Sequence, residues 1–300
     1  MKTLLFGKDG QIGWELKRAL APLGPLVALG HHEADFLRPR ELAELVATHR
    51  PDVVVNAAAY TAVDRAESEA NTARQINTEA VAVLAEASRR QGCWLVTYST
   101  DYVFDGRKDA PYLENDVTNP LNVYGRSKRD GEEAIRASGC KHLILRTSWV
   151  YGRHGNNFLK TMLRLAAEHS ELRIVADQIG APTGGDFVAD VTALALHQLA
   201  RGPDAGALSG TCNLTATGET SWHGYAVFLL AEARRRGAPL SVSPDGIVPV
   251  PSADYATPAM RPANSRLSTE KLATTFGVTP PHWQTGVSRL IAELVAEPQP

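Results

Sequence analysis

Thr3-Leu4-Leu5-Phe6-Gly7-Lys8-Asp9-Gly10-Gln11-Ile12-Gly13 decides the fold of this 300-residue chain. The apolar run predicts a strand over Thr3–Phe6 that is buried on both faces, as strands of a parallel sheet are. Glycines at 7, 10 and 13 then lead into a helix predicted over 11–21. A backbone that must turn sharply, approach a pyrophosphate and let a helix pack on a strand needs glycine at such spacings. The helix N-terminus adds a favourable field for phosphate charge. Gly7, Gly10, Gln11, Ile12 and Gly13 are therefore candidate dinucleotide-binding residues. Glycines alone are a weak signal, because they also make ordinary turns; their place between strand and helix strengthens it.

Outward from that turn, strand and helix patterns alternate. Strands are predicted over Leu26–Leu29, 52–56, 94–99 and 142–146, and helices over 40–49, 71–91 and 122–137. This alternation predicts an α/β fold with a doubly wound, Rossmann-like parallel sheet. The expected division is a dinucleotide-binding domain over 1–150, with a possible return segment near 184–216, and a smaller, mainly substrate-binding lobe over 151–300. Helices are expected there over Phe158–Glu168, 186–199 and 221–236, with Trp222 and Phe228 packing the lobe. Segments 177–185 and 239–262, the latter with six prolines, read as irregular site-forming loops, and residues 297–300 as a frayed tail.

The predicted second strand ends at Gly30, followed by His31 and His32. A carboxylate at that point would bind the adenosine ribose hydroxyls. Its absence removes repulsion against a 2′-phosphate and favours NADPH, with NADH left open; both histidines could equally be solvated. Asp35 and Phe36 follow within reach of an adenine pocket. Asn56-Ala57-Ala58-Ala59-Tyr60 ends the third strand. Small side chains there leave room for a ligand, or serve tight helix packing.

Chemistry enters with Tyr124-Gly125-Arg126-Ser127-Lys128. Residues i and i+4 share a helix face, so the Lys128 ammonium is expected beside the Tyr124 phenol, lowering its pKa toward that of a working proton donor. The spacing is only moderately specific, the alternative being a surface pair. Ser99-Thr100-Asp101 follows the fourth strand, at the sheet edge where α/β sites form. A hydroxyl there could stabilise a developing alkoxide; spacing does not say which one.

Composition narrows the classes. A net charge of −2 gives no basic excess for nucleic acid or a membrane surface. Three cysteines without metal spacing read as free thiols in a reducing cytoplasm. No apolar run reaches the roughly 20 residues of a membrane span, and the opening strand leaves no room for a signal peptide.

Motifs along nearly the whole chain resemble the extended short-chain dehydrogenase/reductases, and within them the reductases of nucleotide-linked 4-keto-6-deoxy sugars. They are Leu5-Phe6-Gly7-Lys8-Asp9-Gly10-Gln11-Ile12-Gly13, Asn56-Ala57-Ala58-Ala59-Tyr60, Ser99-Thr100-Asp101-Tyr102-Val103-Phe104, Asn122-Val123-Tyr124-Gly125, Arg146-Thr147-Ser148-Trp149-Val150-Tyr151-Gly152, Gly180-Ala181-Pro182-Thr183 and Arg261-Pro262-Ala263-Asn264-Ser265. The resemblance implies NADPH-dependent reduction of the C4 ketone of dTDP-4-dehydro-L-rhamnose to dTDP-L-rhamnose. Tyr124 would donate the proton, Lys128 would bind the nicotinamide ribose, and Thr100 would hydrogen-bond the carbonyl. Asp101 and Trp149 would contact the sugar nucleotide. Gly10, Gln11 and Ile12 would cradle the pyrophosphate, with Gly30, Asp35, Phe36, Ala58, Ala59 and Tyr60 on the adenosine side. Some relatives hold Mg²⁺ at a dimer contact, where Glu15 is a match, but no metal site is predicted. A homodimer is left open. Two alternatives stand beside the reductase: an epimerase or dehydratase on the same fold, and a non-catalytic NADP-binding subunit resembling the regulatory subunit of methionine adenosyltransferase. Thr100-Asp101-Tyr102 lacks the Asp-Glu pair of a dehydratase, and the intact Thr/Tyr/Lys set speaks against pure scaffolding.

Overall fold

The computed structural model describes residues 1–201 and 208–295; the tail expected to fray lies outside them, as do residues 202–207 of the return segment. The first half alternates β1 (Thr3–Phe6), α1 (Gln11–Leu20), β2 (Leu26–Leu29), α2 (Pro39–His49) and β3 (Val53–Asn56). It continues through α3 (Val63–Ala66), α4 (Ala70–Arg74), α5 (Ala80–Gln91), β4 (Trp94–Thr100), α6 (Val123–Ser138) and β5 (His142–Thr147). Five parallel strands in the order β2-β1-β3-β4-β5 therefore stand where the apolar runs put them.

Gly7 adopts φ +82°, a left-handed turn that costs glycine nothing, and a Cβ there would stand 2.5 Å from the Ala58 nitrogen. A Cβ on Gly13 would stand 1.9 Å from the Gly7 carbonyl oxygen, so α1 can rest on the turn only with glycine at that place. Gly7 and Gly13 thus serve the sharp turn and the helix packing that the sequence reading asked of them.

The second half departs further from expectation. It runs β6 (Val150–Tyr151), α7 (Phe158–Glu168), β7 (Leu172–Val175), β8 (Ile179–Gly180), β9 (Thr183–Gly184), α8 (Gly185–Arg201) and β10 (Gly210–Asn213). Then come β11 (Thr220–Ser221), α9 (Trp222–Arg235), β12 (Ile247–Val250), α10 (Glu270–Phe276) and α11 (Trp283–Leu294). The stretch 177–185, expected to be irregular, holds β8 and β9 and the first residue of α8. The proline-rich stretch 239–262 holds β12, which pairs in parallel with β7 in spite of Pro249. This two-stranded ribbon leaves one flank of each strand without a ladder, which is where a strand tolerates proline. The single helix expected over 71–91 is instead α4 and α5 joined by one π-helical stretch, Gln75–Glu79.

β10, a polar run that no periodicity marked, pairs in parallel with β5 and completes a six-stranded sheet. Val188, Val191, Ala195 and Leu196 of α8 bury against Leu16 and Leu20 of α1, and Leu272, Phe276 and Val278 join the same core. A second core lies on the other sheet face between β1, α2, α5 and β4. A third belongs to the C-terminal lobe, where Tyr225, Leu229 and Leu230 of α9 meet Leu159 of α7 and Val287 and Ile291 of α11. Among the described residues no helix is long and apolar enough to cross a membrane.

Candidate active site

A cleft of about 610 Å³ opens at the carboxyl ends of β1, β3, β4 and β5, the side of an open parallel sheet where ligands bind. Gly10, Gln11, Ile12, Ala59, Thr100, Asp101, Tyr124, Lys128 and Trp149, all named from the sequence, line it. Gly7, Gly13 and Ala58 form the turn packed behind it. Asp35, Phe36 and Tyr60 lie beside the lining rather than in it. The Asp35 carboxylate accepts the Leu37 N–H, Phe36 is buried edge-on against Phe6, and the Tyr60 hydroxyl donates to Glu69 at 2.7 Å.

Helix α6 brings the proton-donor candidate to the end of β4. Asn122 caps it, accepting the Gly125 N–H at 2.7 Å, and donates its own amide to the Met260 carbonyl, which ties the cap to the C-terminal lobe. A Cβ on Gly125 would stand 2.2 Å from the Tyr102 carbonyl oxygen, so the helix seats on the turn after β4 only with glycine there. Tyr124 then meets Tyr102 edge-on and the Thr100 hydroxyl. Alternation along β4 answers which hydroxyl faces the cleft chemistry. Thr100 faces Tyr124, while the Ser99 hydroxyl lies against Glu132 of α6. The Thr100 hydroxyl accepts the Tyr102 N–H and donates to Asp101 Oδ1 at 3.1 Å.

The electrostatics correct one expectation. Burial, and after it the neighbouring Asp101, raise the Tyr124 phenol above its ordinary pKa; only Thr100 acts the other way. The reason is where Lys128 points. Its Nζ donates to the Tyr98 carbonyl at 2.7 Å, and burial pushes this ammonium down to about 8 against the opposing charge of Glu132. The phenol is thus a protonated donor rather than a phenolate near neutrality. Burial also pushes the Asp101 carboxyl up to about 6, opposed by the Ser265 and Thr100 hydroxyls.

One working residue escaped the sequence reading. Asn77, in the π-helical stretch, accepts the Tyr60 N–H at 2.9 Å and donates to the Tyr60 carbonyl and the Ser127 hydroxyl, both at 3.0 Å. It clamps α6 to the chain leaving β3, and π-helical turns often mark such sites. A mid-helix Asn gives no signal in sequence. Arg261, which opens one of the motifs of the resemblance, pairs with both oxygens of Asp64. Trp149 adopts φ +48°, strained for a residue with a Cβ, and stacks on Trp222 with ring centroids 3.6 Å apart.

Nor is the end of β2 free of carboxylates, as the absence of one at Gly30 had suggested. The space a Cβ on Gly30 would fill lies 2.0 Å from Asp9 Oδ2 and 3.2 Å from Glu33 Oε2. Glu15, the match considered for a metal, accepts Arg18 at 3.3 Å.

Side chains at Gly7 and Gly13 would collide with the backbone of Ala58 and of Gly7 itself, so the tight turn that a dinucleotide needs stands only with glycine at both places, and the Thr147 hydroxyl, buried in the cleft, has no partner among the described residues. Fold and cleft together define a Rossmann-type oxidoreductase of the short-chain dehydrogenase/reductase class. The chain belongs to the RmlD substrate binding domain family, whose pattern matches residues 1–296. It is 52% identical over 298 residues to the dTDP-4-dehydrorhamnose reductase of Shigella flexneri, covering 98% of each chain. It is 51% identical over 300 residues to that of Burkholderia thailandensis, covering 99% of this chain and 100% of the relative. The crystal structure of dTDP-4-dehydrorhamnose reductase from Bacillus anthracis in complex with NADP superposes with a TM-score of 0.86 at 33% identity, covering 98% of this chain and 100% of that one.

Proposed function

We propose that this chain reduces the C4 ketone of dTDP-4-dehydro-L-rhamnose to dTDP-L-rhamnose with NADPH. The observation that carries the reading is the convergence of the Tyr124 phenol, the Thr100 hydroxyl and the Lys128 ammonium in the cleft that the glycine turn opens onto. Full-length identity near one half to reductases of this name supports the substrate.

Bound NADPH supplies the hydride. The chain's own residues do the rest. Gly10, Gln11 and Ile12 present the turn and the N-terminus of α1 to the pyrophosphate. Lys128, held at the Tyr98 carbonyl, offers its remaining N–H donors to the nicotinamide ribose. Thr100 hydrogen-bonds the sugar's C4 oxygen, and Tyr124 gives that oxygen its proton as the carbonyl becomes an alcohol. Trp149, backed by Trp222, offers a flat face to the sugar nucleotide, and Asp101 lies beside the reacting groups. A cytoplasmic setting accords with three buried, free cysteines. The homodimer stays open, and acceptance of NADH beside NADPH is part of the same reading.

Loss of NADPH absorbance with a panel of nucleotide keto sugars tests it, with product stereochemistry read by NMR. Consumption with dTDP-4-dehydro-L-rhamnose alone, giving the L-rhamno product, is expected. No consumption with any keto sugar would remove the enzymatic reading and leave the scaffold alternative.

A further inference from the structure

The end of β2 holds a charge arrangement that the reductase reading does not use. Lys8 sits on the glycine turn with its backbone N–H bonded to the Leu29 carbonyl at 3.2 Å, so its side chain starts beside the last residue of β2. Glu33 closes the turn that follows. Its N–H donates to the Gly30 carbonyl at 3.2 Å, and its Oε2 accepts the Gly30 N–H at 2.6 Å. Its Oε1 accepts Lys8 Nζ at 2.5 Å. A carboxylate thus stands over the strand end although residue 30 has no side chain. Its neighbours are Lys8, His32 and, across the Gly30 Cα, Asp9.

We propose that the Lys8–Glu33 pair sets which nicotinamide dinucleotide this chain prefers, Glu33 accepting the ribose 2′-hydroxyl of NAD(H) and Lys8, drawn off Glu33, binding the 2′-phosphate of NADP(H). This rests on the dinucleotide reading of the cleft. A carboxylate at the end of this strand is the group that accepts the 2′-hydroxyl in such folds, and a cation the group that accommodates a 2′-phosphate. Here both are present and bonded to each other. The pair is half-exposed, with 26% of the Lys8 and 47% of the Glu33 side chain accessible. Such a pair is weak enough to be exchanged by a ligand. A phosphate gives Lys8 a stronger charge-assisted partner than the carboxylate it leaves. Glu33 keeps its bond to the Gly30 N–H after the exchange, so its charge stays near the phosphate and moderates the preference. The result is a chain that takes both dinucleotides, with the balance fixed by these two side chains.

Isothermal titration of the purified chain with NADP⁺ and with NAD⁺, in the absence of sugar, tests this. Glu33→Gln keeps an acceptor for the Gly30 N–H and removes the charge. NADP⁺ should bind about tenfold tighter and NAD⁺ several-fold weaker. Lys8→Met should weaken NADP⁺ about tenfold and leave NAD⁺ within about twofold. Equal shifts for both dinucleotides, or no shift in either variant, would overturn the assignment. Failure of the unaltered chain to bind either dinucleotide would instead overturn the reading of the cleft on which it rests.

Discussion

At the scale of single residues, Tyr124 is placed to give a proton and not to lose one early. Burial and Asp101 hold the phenol protonated, which suits a general acid. Tyr124→Phe should keep NADP⁺ binding and lower kcat by about 10²–10⁴-fold; turnover within a few-fold of the unaltered chain would reject the role. Asp101 carries a pH dependence of opposite character. Its folded pKa is raised to about 6 from an ordinary 3.8 by burial. Its contribution to stability is complete below the ordinary value and is lost as pH rises through about 6. Asp101→Asn should therefore gain stability relative to the parent between pH 4 and pH 7, by at most about 3 kcal/mol. Urea unfolding at the two pH values reads this, and an unchanged difference would mean the carboxyl is solvated. Tyr124 and Lys128 were legible because their types and spacing carry the chemistry, whereas Thr100 and Asp101 were reached only through the family resemblance. The direction of the phenol's shift was not, since it depends on which carbonyl the Lys128 ammonium reaches, and no spacing encodes that.

At the scale of elements, α6 is fixed to the sheet by an ion pair hidden from solvent. Arg146 of β5 grips Glu132 with two bonds, 2.8 and 2.6 Å long, and both side chains are 1% exposed. The Arg146 guanidinium also lies over the Phe104 ring and donates to the Glu114 carbonyl. The same helix presents Tyr124, Lys128 and Glu132 at four-residue steps, so the anchor sets the position of the donor. Glu132→Gln should cost about 3–5 kcal/mol in urea unfolding, because it strands a buried guanidinium. Adding Arg146→Met should restore much of that loss; a double variant as unstable as the single one would mean the helix is held by other contacts. Helix α6 itself was readable from Asn122 to Gly139, its cap and its left-handed C-terminal glycine. The π-helical stretch before α5 was not, because Asn77 earns its place through Tyr60 and Ser127, residues distant in sequence. β12 was missed for a related reason. Its proline, Pro249, argues against a strand, and only its partner β7 makes one of it.

For the whole molecule, α8 and β10 both lie within the return segment expected near 184–216 and join the sheet and core of the first half. The sheet takes β10 from beyond residue 200, and α8 covers α1 and one sheet face together with residues of α10. Residues 1–150 expressed alone should leave that face and the β5 edge open and fail to give a cooperative unfolding transition. A sharp transition for the fragment would show that the return segment is dispensable. β10 was invisible in sequence because Gly210-Thr211-Cys212-Asn213 is polar and short; only the empty edge beside β5 gives it a reason to extend. The Trp149–Trp222 stack has a further consequence. Two parallel indoles 3.6 Å apart are an exciton-coupled pair, and one of them lines the cleft. The protein therefore carries its own chromophore at the mouth of the site. A nucleotide sugar that seats against Trp149 should change the circular dichroism couplet, while a ligand confined to the glycine turn should leave it unaltered.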